Sequence, residues 1–238
     1  RTREILWIEA HDAFATLKDA EAQVQEDIQM TERIMHKKFG IPFLPMKRPN
    51  WDKFAGAIYT IGSDVLMPDG KLIQQPSTHL MGQNFSKAFG ATFKDEHGKD
   101  NYIYQTAYGP AFSRMLASVI SQHGDDKGLI LPFSITPLQV VIVPIFTKEN
   151  KNRILIESEK ISSNLKSLGI KSEIDSSEKS PGEKFNIWEI KGVPLRLEIG
   201  EQELKSKVLT LFTRDTGKKE KIKIPEIEKL EKLGEEYD

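Results

Sequence analysis

A chain of 238 residues can bury one or two cores, and a formal net charge of −1 gives it no global field that would draw it onto nucleic acid. It holds no cysteine, which excludes a thiolate nucleophile, a disulfide framework and a cysteine-ligated zinc. The histidines (His11, His36, His79, His97 and His123) lack ligand spacing, no apolar run reaches the ~20 residues that span a bilayer, and no signal-peptide pattern opens the chain; a soluble cytoplasmic protein without a built-in metal cage is expected.

The opening run Arg1-Thr2-Arg3-Glu4-Ile5-Leu6-Trp7-Ile8-Glu9-Ala10-His11 alternates as a strand would. Arg1, Arg3, Trp7, Glu9 and His11 then share a face and Glu4 lies on the other. Such a face suits an anion beside a flat ring; an edge strand laced with ion pairs is the alternative. Thr16, with Asp19 three residues on, reads as the N-cap of a helix whose stripe is Leu17, Val24, Ile28 and Met35 and whose stop is Gly40-Ile41-Pro42. Strands are expected at Ala57–Ile61, Asp64–Met67 and Lys71–Gln75, the last two joined by the turn Pro68-Asp69-Gly70. A short helix is expected from His79 to Phe89. A second hairpin pairs Ala91–Phe93 with Asn101–Tyr104, and a helix runs from about Ala111 to Gln122. Returning hairpins imply an antiparallel sheet.

Beyond Pro132 strands alternate with helices. Leu138–Ile145 is a β-branched run suited to a parallel sheet, and a helix follows with Ile154, Ile161, Leu165 and Leu168 on one face, ending at Gly169. Then come a strand (Ile170–Ile174), a helix (near Pro181 to Lys191) and strands at Leu195–Ile199 and Val208–Arg214. A further strand is expected at Leu129–Leu131, and Pro225–Asp238 reads as a charged helix or fraying tail. The expected domains are 1–134, 135–228 and a tail at 229–238, the second of them α/β.

Gln74 to His79 would stand at a strand end just before a helix N-terminus, offering amide, hydroxyl and imidazole groups to an anion. Spacing alone favours a polar loop that caps a helix. Arg114 falls in the first turn of a helix after Gly109, where it could stack on a purine or remain a solvated surface residue. Glu189 and Arg196 bracket a turn, an arrangement able to read base edges. Lys205, Lys207, Arg214, Lys218, Lys219, Lys221 and Lys223 could add phosphate contacts or form a solvated face.

In order along the chain stand Arg1 to Phe14, Lys53-Phe54-Ala55-Gly56-Ala57-Ile58-Tyr59-Thr60, Gln74 to His79, Gly82-Gln83-Asn84-Phe85-Ser86-Lys87, His123 to Pro132, Gln139 to Pro144, and Trp188 to Gly200. Together they resemble the prolyl-tRNA synthetases of the archaeal and eukaryotic type, from Arg1 to about Thr216. The resemblance implies the C-terminal portion of an α+β class II catalytic domain, an antiparallel sheet flanked by helices, followed by an α/β anticodon-binding domain. It implies ATP-dependent activation of L-proline and transfer to tRNA(Pro), with Mg2+, in a full-length homodimer that uses no membrane. Arg1, Gln74, Ser77 and Arg114 match ATP contacts, with Gln74 also at the magnesium. Trp7, Glu9 and His79 match the proline site, and Glu189 and Arg196 the readers of anticodon guanines. Gln75-Pro76 replaces two small residues, Leu80 replaces a second histidine, and the stretch Tyr108 to Arg114 is one residue longer than is usual in this branch. The second limb of the motif 2 loop opens the chain and its first limb is missing, so this polypeptide alone is expected to be inactive. A noncatalytic tRNA-binding paralogue is the alternative.

Overall fold

In a computed structural model describing residues 4–238, the chain divides in sequence between Gln122 and His123 into two units, each built on a five-stranded sheet. In the first, β1 (Ala10–Phe14) leads into α1 (Leu17–Glu32), where the extended Thr16 accepts the Asp19 N–H at 3.1 Å and so caps the helix. The helix widens into π-type turns over Arg33–Lys38 and stops at Gly40, whose φ of 62° suits glycine. There follow β2 (Leu44–Lys47), β3 (Tyr59–Leu66), β4 (Leu72–Gly82), α2 (Asn84–Phe89), the hairpin β5 (Thr92–Lys94) and β6 (Asp100–Tyr102), β7 (Tyr104–Gly109) and α3 (Phe112–His123). The sheet order is β1-β7-β4-β3-β2, antiparallel throughout.

Three expectations need correction. Among the described residues, the run from Glu4 to Glu9 is not a regular strand; within it Trp7 makes an isolated bridge, to Ala111. His79 does not open a helix: β4 continues to Gly82 because Ser77–Leu80 find ladder partners on both β3 and β7 and Gly82 finds one on β7, and α2 starts only at Asn84. Leu129–Leu131 form no strand, although the Leu129 N–H bonds the Ile190 carbonyl at 3.0 Å.

Helix α1 covers the sheet through Ala20, Val24, Asp27 and Thr31, while Leu17 in its first turn is exposed. Two of these buried positions are polar and must be satisfied internally. Asp27 accepts from Thr78 Oγ1 (2.6 Å) and Gln23 Nε2 (2.9 Å), and Thr31 donates to the Asp27 carbonyl and bonds the Tyr108 hydroxyl. Among the described residues no cation pairs with Asp27, and burial raises its pKa above the ordinary carboxylate value, with Asp12 and Glu26 adding to the effect and the two side-chain bonds opposing it.

The second unit comprises β8 (Val140–Pro144), α4 (Lys151–Ser167), β9 (Ser172–Ile174), α5 (Pro181–Ile190), β10 (Leu195–Ile199), α6 (Glu201–Ser206), β11 (Val208–Thr213), β12 (Lys219–Lys223) and α7 (Lys229–Tyr237). Strand β8 lies parallel to β9 and β10 at the centre, and β11 and β12 extend the sheet antiparallel in the order β12-β11-β10-β8-β9. A reciprocal Ser180–Glu183 capping box and Pro181 start α5. The core joins Val140, Ile142, Ile154, Ile161 and Leu165 to Leu195, Leu197, Leu209 and Leu211. The segment read as helix or tail is helical, and Leu230 in it is fully buried, worth about 2 kcal/mol of apolar transfer. Among the described residues no helix is long and apolar enough to cross a membrane.

Because its folded-state pKa is raised, the stabilising contribution of Asp27 is complete below the ordinary value of 3.8 and is lost as pH rises through the raised value. Asp27→Asn is therefore expected to raise the urea midpoint at neutral pH and to flatten the fall in stability from acid to neutral. A lower neutral-pH midpoint in the variant would show instead that the carboxylate charge is needed.

Candidate functional site

The cleft of the first unit follows from one irregularity in β4. Gly62 pairs with Ser77 and Asp64 with Gln74, so Ser63 alone stands opposite Gln75 and Pro76. The extra residue is a bulge, and Pro76, which has no N–H to donate, falls in it; pairing with β7 begins only at Ser77. The bulge reverses which side chains face which side. Gln75 donates to Ser118 Oγ on α3 (2.6 Å) and Thr78 to Asp27 on α1, so both face the helices. Gln74, Ser77 and His79 share the opposite face. Gln74 and His79 line a cavity of about 460 Å³ with Arg48, Thr60 and Asp64. His79 also lines an adjoining, more apolar cavity of about 290 Å³ with Trp7, Glu9, His11, Phe54 and Gly109.

His79 is held on both ring nitrogens: Nδ1 bonds Thr60 Oγ1 at 2.8 Å and Nε2 bonds Ser77 Oγ at 3.1 Å. Thr60 Oγ1 also accepts the Phe54 N–H (3.0 Å), and the Phe54 ring lies 4.9 Å from the imidazole. Burial lowers the His79 pKa from its ordinary 6.5, opposed by the charge of Glu9, so the ring is neutral at neutral pH. A neutral imidazole in this setting can donate from one nitrogen and accept at the other.

Trp7, Glu9 and His11 do line one cavity, as alternation requires, although only His11 belongs to a regular strand; Glu9 and His11 pair at 3.6 Å. The segment before β1 is pinned instead by Leu6 N–H to Ser113 Oγ (3.0 Å) and Ile8 N–H to the Pro110 carbonyl (3.1 Å). Trp7 packs against Gly109, where a Cβ would lie 2.7 Å from the indole nitrogen. Arg114, in the first turn of α3, stacks on the Trp7 ring at 5.3 Å. Arg1 lies outside the described residues. Sequence reasoning from spacing missed Phe54, Thr60 and Arg48. Arg48 pairs with Asp64 at 2.6 Å and passes so close to Gly62 that a Cβ there would lie 2.6 Å from Nε. Nothing in the local spacing marks these residues, since loop and strand partners meet only in the fold.

In the second unit Glu189 and Arg196 come together, but inside the structure rather than at an open edge. The Arg196 guanidinium, 3% exposed, donates from Nη1 to Glu189 (3.0 Å) and from Nε and Nη2 to Glu198 (3.2 and 3.0 Å). The rings of Phe185 and Phe212 each lie 4.0 Å from it, and Lys219 joins Glu198 at 2.8 Å. Several of the basic residues taken as phosphate contacts are spent internally. Arg214 is buried against Asp125 in a bidentate pair (2.9 and 2.5 Å), which holds that carboxyl well below the usual carboxylate range. Lys205 pairs with Glu201, Lys221 with Glu203 and Lys223 with Glu226.

Residues 1–123 match the family described as the tRNA synthetase class II core domain (G, H, P, S and T), and residues 139–232 match the anticodon binding domain. The chain is 49% identical over 237 residues to a proline–tRNA ligase of Thermofilum pendens, covering 97% of this chain and 49% of that protein. It is 43% identical to a proline–tRNA ligase of Pyrococcus abyssi over 239 residues, covering 100% of this chain and 49% of that protein. A crystal structure of prolyl-tRNA synthetase from Cryptosporidium parvum complexed with L-proline and AMP superposes with a TM-score of 0.91 at 37% identity, over 100% of this chain and 51% of that one. The chain thus spans about half the length of the curated relatives it matches.

Removing Arg196 would leave Glu189 and Glu198 facing one another with only Lys219 as countercharge. Arg196→Met, which keeps bulk between the two phenyl rings, is expected to cost about 3 kcal/mol in urea denaturation, and Arg196→Lys to recover only part of it. An unchanged midpoint in Arg196→Met would show that the cluster contributes nothing to folding.

Proposed function

The chain belongs to the class II core family of tRNA synthetases (G, H, P, S and T), and we propose that the whole protein is a proline–tRNA ligase. The observation that carries this reading is the small apolar cavity walled by Trp7, Phe54 and Gly109, with a neutral His79 hydrogen-bonded on both sides at its inner end. A cavity of about 290 Å³ suits a compact apolar ring carrying an amine and a carboxylate. Glu9 lines the same space and supplies the countercharge for the amine. Trp7, Glu9 and His79 are accordingly assigned to proline.

ATP would lie against the neighbouring face. Gln74 and Ser77 turn toward it because of the bulge, and Arg114, stacked on Trp7, is positioned for the adenine or its phosphates. Arg1 adds a phosphate contact. Magnesium fits as an ion brought by the nucleotide: among the described residues no group of three His, Asp or Glu could hold one, whereas Gln74 stands opposite Asp64 in the ladder and lines the same cavity. When bound, that ion supplies charge neutralisation at the phosphates. The proline carboxylate attacks the α-phosphorus in line and pyrophosphate leaves; the terminal ribose hydroxyl of tRNA(Pro) then attacks the adenylate carbonyl, losing its proton as the acyl–phosphate bond breaks and AMP leaves. Neither step needs a protein nucleophile, so the residues act by positioning and electrostatics.

The second unit supplies tRNA recognition, with Glu189 and Arg196 as readers of anticodon bases. Arg196 is stacked between aromatic rings and bound to carboxylates, so an incoming base would exchange for contacts already made with Glu189. The whole protein is a homodimer in this reading and works in the cytoplasm.

ATP–pyrophosphate exchange on the whole protein tests the proposal. Exchange is expected with proline, to be abolished by Arg114→Ala, to show a raised KM for proline in His79→Ala, and to be absent from the 238-residue chain alone. Exchange driven only by a different amino acid would move the assignment to another member of the family. Intact tRNA binding with no exchange at all would make the protein a noncatalytic paralogue.

A further inference from the structure

Helix α3 is fastened to the sheet by a side-chain amide at each end. Gln122, in its last turn, donates to the Leu66 carbonyl at 2.6 Å. Gln75, in the β4 bulge, donates from Nε2 to Ser118 Oγ at 2.6 Å and to the Arg114 carbonyl at 3.4 Å. A peptide carbonyl can only accept, so it is the amide nitrogen that faces α3. Gln75 is 1% exposed, and its Oε1 has no hydrogen-bond partner among the described residues. Filling the space needs no amide: a buried acceptor without a partner is a cost that an apolar side chain of equal length avoids. The other buried residues of α3 are Met115 and Val119 besides Ser118, and apolar burial fixes no direction along the helix axis. The Gln75 bonds do.

What those bonds hold is the start of the helix. Arg114 stacks on the Trp7 ring and the adjacent Ser113 accepts the Leu6 N–H, so the first turn of α3 is tied to the opening segment on one side and to β4 on the other. Gln74 and Ser77 flank the bulge and turn to the opposite face of the sheet. One strand thus presents two of the residues assigned to ATP and, through Gln75, grips the backbone of a third. Both ends of this contact fall where the sequence departs from the archaeal and eukaryotic pattern. Gln75-Pro76 stands in place of two small residues, and Tyr108 to Arg114 is one residue longer. A longer approach leaves more freedom in where α3 begins, and a small side chain in the bulge would not reach it.

We propose that Gln75 is a positioning residue, whose bonds to Arg114 and Ser118 set where the Arg114 guanidinium meets the nucleotide. Gln75 itself touches no substrate. It acts because contact between a guanidinium and a purine or phosphate depends on the plane and height of the fork, so that a shift of about 1 Å at the helix start weakens it. This role rests on Arg114 being a nucleotide contact and does not require proline as the amino acid.

The test is calorimetric titration of the whole protein with ATP, on wild type, Gln75→Met, Ser118→Ala, Arg114→Lys and the double variant Gln75→Met/Arg114→Lys, with urea midpoints measured alongside. Gln75→Met keeps the bulk and removes the donor. It is expected to weaken ATP binding about fivefold or more while its urea midpoint stays at or above that of wild type. Ser118→Ala, which removes one of the two acceptors, is expected to act in the same direction with a smaller loss, and it serves alone should Gln75→Met not fold. In Arg114→Lys the charge remains but the fork is gone, so adding Gln75→Met is expected to change affinity less than about twofold. In pyrophosphate exchange KM for ATP rises in Gln75→Met and KM for proline does not. ATP affinity unchanged in the variants that fold overturns the proposal, as does a Gln75→Met loss of equal size with and without the Arg114 fork. Absence of proline-dependent exchange in a wild type that binds ATP counts against the ligase reading alone, and the binding comparison still decides the role of Gln75.

Discussion

One extra residue in a strand organises the first unit. If β4 matched β3 residue for residue, Gln74 would face the helices and Gln75 would share a side with Ser77 and His79. The bulge at Gln75-Pro76 shifts the parity once, so an amide, a hydroxyl and an imidazole end on one face while Gln75 and Thr78 anchor the other to α3 and α1. The two faces depend on each other: the same residues that satisfy Asp27 and Ser118 on the helix side hold the strand in the register that presents His79. Packing and chemistry here are one constraint, seen from opposite sides of the sheet.

The second unit solves a different problem, the burial of charge beside a parallel core. Arg196 and Arg214 are nearly inaccessible, and each is met by carboxylates at hydrogen-bonding distance, so their desolvation is offset by paired charge. Lys184 is equally buried and is met only by peptide carbonyls and an aromatic face. The contrast is between buried charge neutralised by carboxylates and buried charge held by peptide carbonyls and a ring face.

Much of the architecture was legible in the residues because it is written locally. Thr16 and Asp19 mark a cap, Pro68-Asp69-Gly70 a turn, Ser180 and Glu183 a capping box, and the β-branched run Val140–Val143 a central parallel strand. What escaped was decided by partners far away in sequence. His79 reads as a helix start beside Gln74 to Thr78, but pairing with β3 and β7 overrides that preference. The alternation through Trp7, Glu9 and His11 correctly implied a shared face without a regular strand, since Pro110 and Ser113 supply the restraint that a ladder would have given. Phe54 and Thr60 carry no spacing signal, because their role arises only when a loop closes over His79. The basic stretch Lys218 to Lys223 looked like a contact surface, and its alternation with Glu220 and Ile222 was the overlooked sign of a strand.

That last strand has a bearing on how the protein behaves in a crowded solution. Strand β12 ends the sheet, pairs only with β11, and buries Ile222 alone, while Lys219, Lys221 and Lys223 extend from it to Glu198, Glu203 and Glu226. An open sheet edge is a template on which another chain can add a strand. Here any newcomer would have to strip water and carboxylate partners from a row of ammonium groups before its backbone could pair. The lysines thus act as gatekeepers against self-association, keeping the border of the sheet closed to strand exchange.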